Sequence, residues 1–143
     1  FNFINRIIIQ AIKEKKIVRE GNGDELREYI HIKDAARASV EILSKGFTNA
    51  NIMITGTKSL RIRDLLNMIN EIFDEKIDIE YSNNAFESHY NITPYTFKPK
   101  VAKKFQLNYY HDLGQGILEQ IYYNYEQLIA NGEIEDENFL NKE

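Results

Sequence analysis

The 31 residues from 51 to 81, NIMITGTKSLRIRDLLNMINEIFDEKIDIEY, change their hydrophobic period twice, and no other feature limits the fold as much. NIMIT is a short β-branched run closed by Gly56. Ile62, Leu65, Leu66, Ile69, Ile72 and Phe73 then recur at three- and four-residue steps, the stripe of an amphipathic helix, with Ser59 or Thr57 placed to cap it. KIDIEY returns to strand character. Strand, helix and strand at this spacing predict a βαβ unit whose two strands pair in parallel through a right-handed crossover. The expected class is therefore α/β, a small mixed α/β lobe of short strands and amphipathic helices.

The flanking sequence extends this pattern. Ile4, Ile7, Ile8, Ala11 and Ile12 share one helical face near the start. KKIVRE predicts a strand ended by Gly21 and Gly23, and EYIHI a second, with Tyr29 and His31 on one side and Ile30 and Ile32 on the other. Asp34 stands where a cap would satisfy the first amides of AARASVEILSK, and Gly46 supplies a left-handed stop. Residues 82–99 are polar, lack a steady period and hold both prolines, which predicts a long loop. Pro99 can open a short helix, KVAKKF, and Asp112 can cap a final helix running through Leu113, Ile117, Leu118, Ile121, Tyr125 and Leu128 to Gly132. The expected organisation is one lobe over 1–132 and an acidic, frayed tail over 133–143.

Charge and composition exclude several classes of function. The formal charge of −4 is matched by the tail EIEDENFLNKE, with five acidic residues against one lysine, so the rest of the chain is near neutral and has no nucleic-acid footprint. No apolar run approaches the roughly 18 residues of a bilayer span, and no cysteine is present to form a disulfide, a thiolate metal site or a nucleophile. A cytoplasmic location is expected, with no membrane partner. His31, His89 and His111 lack metal-ligand spacing, and no serine lies on a nucleophile elbow.

Gly21 and Gly23 follow a strand, but Leu26 replaces the third glycine of a dinucleotide fingerprint and a strand rather than a helix is expected next. The Gly114–Gly116 pair follows no strand and precedes no Lys-Ser/Thr step, so it is not a phosphate loop. Arg27 is the residue with chemical promise, because an arginine just before a strand can project its planar fork of donors into a cleft and grip a diphosphate bidentately. On the residues alone the simpler reading of Arg27 is a surface ion pair with Glu25 or Glu28, since most exposed charges contribute little.

The segment GNGDELREYIHIKDAARA resembles the G-x-G-x-x-x-R-[DE]-[FY]-[IV]-[HY]-[IV]-x-D-x-A-x-A segment of the extended short-chain dehydrogenases/reductases, the NAD(P)-dependent epimerases, dehydratases, decarboxylases and ketoreductases of nucleotide sugars. NIMITGTKSLRIRDLLNMINEIF is similar to that family's strand, glycine turn and helix. FKPKVAKKFQLNYYHDLGQGILEQI is similar to its closing P-x-K-x-x-x-x-L-G-[WY]-x-P element, although it lacks the usual Gly-Trp and proline.

The resemblance implies a C-terminal substrate-binding lobe missing its N-terminal Rossmann domain. The glycine fingerprint, the Tyr-x-x-x-Lys pair and the NAD or NADP site would then precede Phe1, and this piece alone would be inactive and bind no cofactor. Arg27 matches the family arginine that contacts the substrate diphosphate or sugar. Ile17, Val18 and Arg19 match the strand bordering the nucleotide base, Ile30 and Ile32 match packing positions, and Lys98 or Lys100 would replace a second phosphate-binding arginine. The implied partners are a nucleotide sugar, the Rossmann domain and, for the full-length enzyme, a homodimer mate. Tyr90 and Tyr95 could stack on a base or sugar. The rival expectation is a freestanding α/β module that binds a protein through GILEQIYYNYEQL, since Tyr122, Tyr123 and Tyr125 cannot all face one core.

Overall fold

The computed structural model describes residues 2–82 and 102–136. Ten elements follow one another: α1 (Phe3–Glu14), β1 (Lys16–Glu20), β2 (Leu26–Glu28), α2 (Ile32–Ser44), β3 (Ile52–Ile54), β4 (Ser59–Arg61), α3 (Ile62–Ile72), β5 (Asp78–Ser82), β6 (Lys103–Phe105) and α4 (Leu113–Ala130). They form a small mixed α/β structure that divides into two compact units. Residues 1–23, 63–86 and 114–143 make the first, and 24–62 and 87–113 the second.

In the first unit, the Asn2 side chain caps α1 by accepting from Ile4 N–H at 3.1 Å, and Lys15, in the left-handed region at φ 50°, ends it. The predicted stripe is the buried face, with Ile7, Ile8, Ala11 and Ile12 withdrawn from water. β1 pairs in parallel with β5, Ile17 opposite Ile79 and Arg19 opposite Tyr81. Leu65, Leu66, Ile69 and Phe73 of the α3 stripe are buried, as are Ile117, Ile121, Tyr125 and Leu128 of α4. Gly132, at φ 70°, closes α4 through Gly132 N–H to the Ile129 carbonyl and Glu133 N–H to that of Leu128, both at 2.9 Å. The Glu133 carboxylate then meets Lys13 Nζ at 3.0 Å, and Tyr125 donates to Asp136 at 2.8 Å.

In the second unit, β2 pairs with β4 antiparallel and β3 with β6 in parallel, Ile52 opposite Lys103 and Ile54 opposite Phe105. Ala38, Phe105 and Leu107 form its core, with Ile42, Ile52, Ile54 and Tyr110 packed against them.

Several expectations are corrected. The strand sought in EYIHI lies at Leu26–Glu28, and Ile32 starts a helix instead of packing in a strand, leaving its side chain exposed. His31, not Asp34, caps α2, its Nδ1 accepting from Lys33 N–H at 3.3 Å. Ser59 belongs to β4 and does not cap α3. Residues 103–105, read as part of a helix after Pro99, form β6. The two strands expected to pair with each other around α3, NIMIT and KIDIEY, do not: β3 pairs in parallel with β6 and β5 in parallel with β1, and β4 intervenes before α3. The predicted 82–99 loop, with Tyr90 and Tyr95, lies outside the described residues beyond Ser82.

Candidate functional site

In the first unit, β1 presents Ile17, Val18 and Arg19 in alternation: Ile17 is fully buried, Val18 is about half exposed, and the Arg19 guanidinium lies over the Phe3 ring at 5.3 Å from its centroid. Beside Ile17, Lys16 reaches Glu80 across the sheet at 2.6 Å, and this hydrogen bond raises the lysine's pKa. The strand ends in a turn held from both sides. Gly21 N–H donates to the Ser82 carbonyl at 3.0 Å, Arg63 N–H donates to that of Gly23 at 2.9 Å, and an Arg63 guanidinium nitrogen donates to that of Asn22 at 2.9 Å. Gly23 is required here: at φ 74° a Cβ would stand 2.9 Å from the Tyr81 ring and 3.2 Å from the Arg63 backbone.

In the second unit, Arg27 sits at the centre of β2, opposite Leu60 of β4, and is half-buried. One guanidinium nitrogen donates to the Leu26 carbonyl at 2.8 Å, which ties the head back to its own strand. The neighbouring Glu28 carboxylate, almost wholly buried, accepts from Lys104 Nζ at 2.8 Å. Lys98 and Lys100 lie outside the described residues.

Asp34 has a role that sequence reasoning missed. Its side chain is 1% exposed, and its two oxygens accept from His111 N–H at 2.8 Å, pair with His111 Nδ1 at 2.7 Å and accept from Arg37 at 3.0 Å. His111 stacks on His31 with ring centroids 4.6 Å apart, and Arg37 lies 3.5 Å from the Tyr109 ring centroid while also donating to the Tyr109 carbonyl. Burial pushes the Asp34 pKa up, but the hydrogen bonds from His111 and the nearby charge of Arg37 outweigh it and leave it lowered. Asp34 is therefore a structural anion that fastens residues 109–111 to α2. The clue in the sequence was His111, which stands where the resembled closing element has proline: a histidine there adds a backbone donor and a ring donor that proline lacks.

β1 and its glycine turn lead into β2, not into a helix whose N-terminus could receive a pyrophosphate, so the turn does not fit NAD or NADP. Among the described residues no cluster of three or more His, Asp or Glu could hold a metal ion, and no helix is long and apolar enough to cross a membrane.

Residues 2–54 match the NAD dependent epimerase/dehydratase family. The chain is 34% identical over 71 residues to the dTDP-glucose 4,6-dehydratase of Escherichia coli, covering 50% of this chain and 20% of that protein. It is 31% identical over 83 residues to a trifunctional UDP-glucose 4,6-dehydratase, 3,5-epimerase and reductase of Arabidopsis thaliana, covering 57% of this chain and 12% of that one. Among solved structures, MoeE5 in complex with UDP-glucose and NAD superposes with a TM-score of 0.70 at 20% identity, over 89% of this chain and 42% of MoeE5. The NDP-hexosamine 5,6-dehydratase TunA gives a TM-score of 0.64 at 10% identity, over 88% of this chain and 40% of TunA. The chain thus spans a fifth or less of the curated relatives and about two fifths of the structural neighbours. Residues 2–54 are thus similar to the NAD dependent epimerase/dehydratase family, and the chain shares its fold with part of MoeE5 and TunA.

Proposed function

We propose that the chain is the substrate-binding, C-terminal part of an NAD(P)-dependent nucleotide-sugar epimerase/dehydratase. It holds the nucleotide diphosphate while hydride and proton transfer take place on the Rossmann half, and by itself it is inactive and binds no cofactor. Arg27 grips the diphosphate, Ile17, Val18 and Arg19 border the base, and Lys98 or Lys100 supplies a further phosphate contact. Binding energy gathered at this unreactive end orients the sugar for chemistry performed elsewhere.

The observation that carries the reading is that the matched family segment, 2–54, contains both β1 and the Arg27 strand. The relatives point to the same substrate class, since the bacterial one is named for dTDP-glucose and the plant one for UDP-glucose. The test is Arg27→Ala in the full-length enzyme. Loss of one charge-assisted contact lowers kcat/KM for a nucleotide sugar about 10-fold or more. Unchanged kinetics would remove Arg27 from substrate binding.

A protein-binding module remains the second reading, favoured by the exposure of Tyr122 and Tyr123 on α4, while Tyr125 is buried. Retention of all nucleotide-sugar binding in a full-length Tyr122→Ala/Tyr123→Ala variant, with loss of a protein partner, would support it.

A further inference from the structure

Glycine follows asparagine at two places in this chain, Asn22-Gly23 and Asn131-Gly132. Such a step carries a reaction of its own. The backbone nitrogen after the asparagine can attack the side-chain amide carbon, and glycine permits the approach because it has no Cβ. Both steps lie in the first unit and both asparagines are exposed, so access to water does not distinguish them. Their hydrogen bonds do.

At Asn131 the attacking nitrogen is engaged. Gly132 N–H donates to the Ile129 carbonyl at 2.9 Å, between Asn131 N–H donating to that of Gln127 at 3.0 Å and Glu133 N–H donating to that of Leu128 at 2.9 Å. The side-chain amide is held too. Its Nδ2 donates to Glu133 Oε1 at 3.3 Å, and the other oxygen of that carboxylate meets Lys13 at 3.0 Å. Ring closure there requires the end of α4 to open first.

At Asn22 the peptide bond is arranged in the opposite sense. Gly23 N–H has no acceptor among the described residues, while the carbonyl of the same peptide bond, that of Asn22, accepts from an Arg63 guanidinium nitrogen at 2.9 Å. When the Gly23 nitrogen loses its proton, amide resonance passes the charge to that oxygen, where a cationic donor stabilises it. Arg63 N–H donates to the Gly23 carbonyl at 2.9 Å as well, so the start of α3 grips the carbonyls on both sides of Gly23 Cα.

We propose that Asn22 is a self-modification site, a deamidation centre promoted by Arg63. The Gly23 nitrogen gives its proton to hydroxide or a buffer base and bonds to Asn22 Cγ. The Cγ–Nδ2 bond breaks, and Nδ2 leaves as ammonia with a proton taken from solvent. Water then opens the succinimide at either carbonyl, giving aspartate or isoaspartate, and no oxidation or reduction is involved. Isoaspartate adds a carbon to the main chain at a crowded place, where even a Cβ on Gly23 would stand 2.9 Å from the Tyr81 ring and 3.2 Å from the Arg63 backbone nitrogen. The turn after β1 cannot keep its two bonds to Arg63 once converted, so the protein carries a time-dependent change at the end of that strand.

The test is to age the full-length protein in mildly alkaline buffer made with heavy-oxygen water, which marks each hydrolysed succinimide, and to follow the peptides holding Asn22 and Asn131 by mass spectrometry. The quantity read is the rate at 22 divided by the rate at 131. It is at least about 5-fold higher in the folded protein than in guanidinium chloride, the factor that the net worth of one hydrogen bond supplies. Arg63→Met keeps the side-chain reach without the charge, and it lowers the folded rate at 22 by about 3-fold or more while leaving the rate in guanidinium chloride unchanged. A ratio that denaturation leaves unchanged or raises overturns the inference. So does a folded rate at 22 in Arg63→Met equal to or above that of the parent protein. The readout is mass and not turnover, so the result is independent of the nucleotide-sugar reading above.

Discussion

The two units are held together by different physics. The first buries aliphatic side chains from α1, α3 and α4, and its main interior polar group, Asn124, is neutral, donating at 2.8 Å to the Asn5 side chain, which also accepts from Gln120 at 3.1 Å. The second has a smaller apolar core and is organised around one buried carboxylate, Asp34, with a histidine and an arginine turned toward it. An aliphatic interior is indifferent to pH, whereas a buried anion makes its surroundings depend on remaining ionised.

The largest effects should come from the apolar side of this contrast. Leu66→Ala deletes a fully buried side chain from α3 and should cost about 2–5 kcal/mol in denaturant titration of the chain. Gly56→Ala probes the second unit by overfilling: a Cβ there would overlap the Tyr29 carbonyl oxygen, and displacing backbone should cost about 1–3 kcal/mol. A loss at Leu66 no larger than that at Gly56 would contradict the view that the first unit holds the heavier core.

Next in size is Asp34→Asn, expected to cost about 1–3 kcal/mol. The cost stays below that of breaking a fully buried ion pair because His111 and Arg37 both reach solvent. The pH dependence follows from the lowered pKa. Folding favours the ionised carboxylate, so its stabilisation is complete above the unfolded-state pKa and is lost as pH falls through the lower folded-state value. Hydrogen exchange should therefore show α2 amides losing protection on acidification from the ordinary carboxylate range downward, with Asp34→Asn abolishing that dependence. Glu133 is lowered in the same direction by its bond to Lys13, but it is exposed and should leave the first unit's core amides nearly unaffected. Equal acid sensitivity of both units would break the comparison.

The same contrast separates what could be read from the sequence. The stripes of α1, α3 and α4 were legible because their partners' identity hardly matters: any buried surface draws out Ile7, Leu65 or Ile121 at helical spacing. β6 was not, because KKF acquires its strand only by pairing with Ile52–Ile54, some 50 residues earlier. β2 was displaced because the alternation in EYIHI imitates a strand, while the backbone at His31 already caps a helix. Asp34 looked like a cap because capping is local, and its real partners, Arg37 aside, come from residue 111. Of the candidate site, the strand carrying Ile17, Val18 and Arg19 was found where expected. Arg27 proved to be in a strand instead of before one.

The smallest prediction compares helix ends. α2 is followed by Gly46 at φ 67°, where a Cβ would meet nothing within 4 Å, while α3 is followed by Asp74 at φ 57°. Both positions demand the left-handed region, which costs a non-glycine residue roughly 1–2 kcal/mol and an aspartate less than most. Gly46→Ala should therefore destabilise by about 1 kcal/mol with no steric component, a pure backbone effect. Asp74→Gly relieves that strain but gives the unfolded chain more freedom, worth about 0.4–1 kcal/mol in the opposite sense, so the two nearly cancel. Parallel melting curves of the two variants should thus show one clear loss and one shift within about 0.5 kcal/mol of zero. A large gain at Asp74 would mean that the end of α3, for all the apolar core of its unit, stores backbone strain that the end of α2 avoids with a glycine.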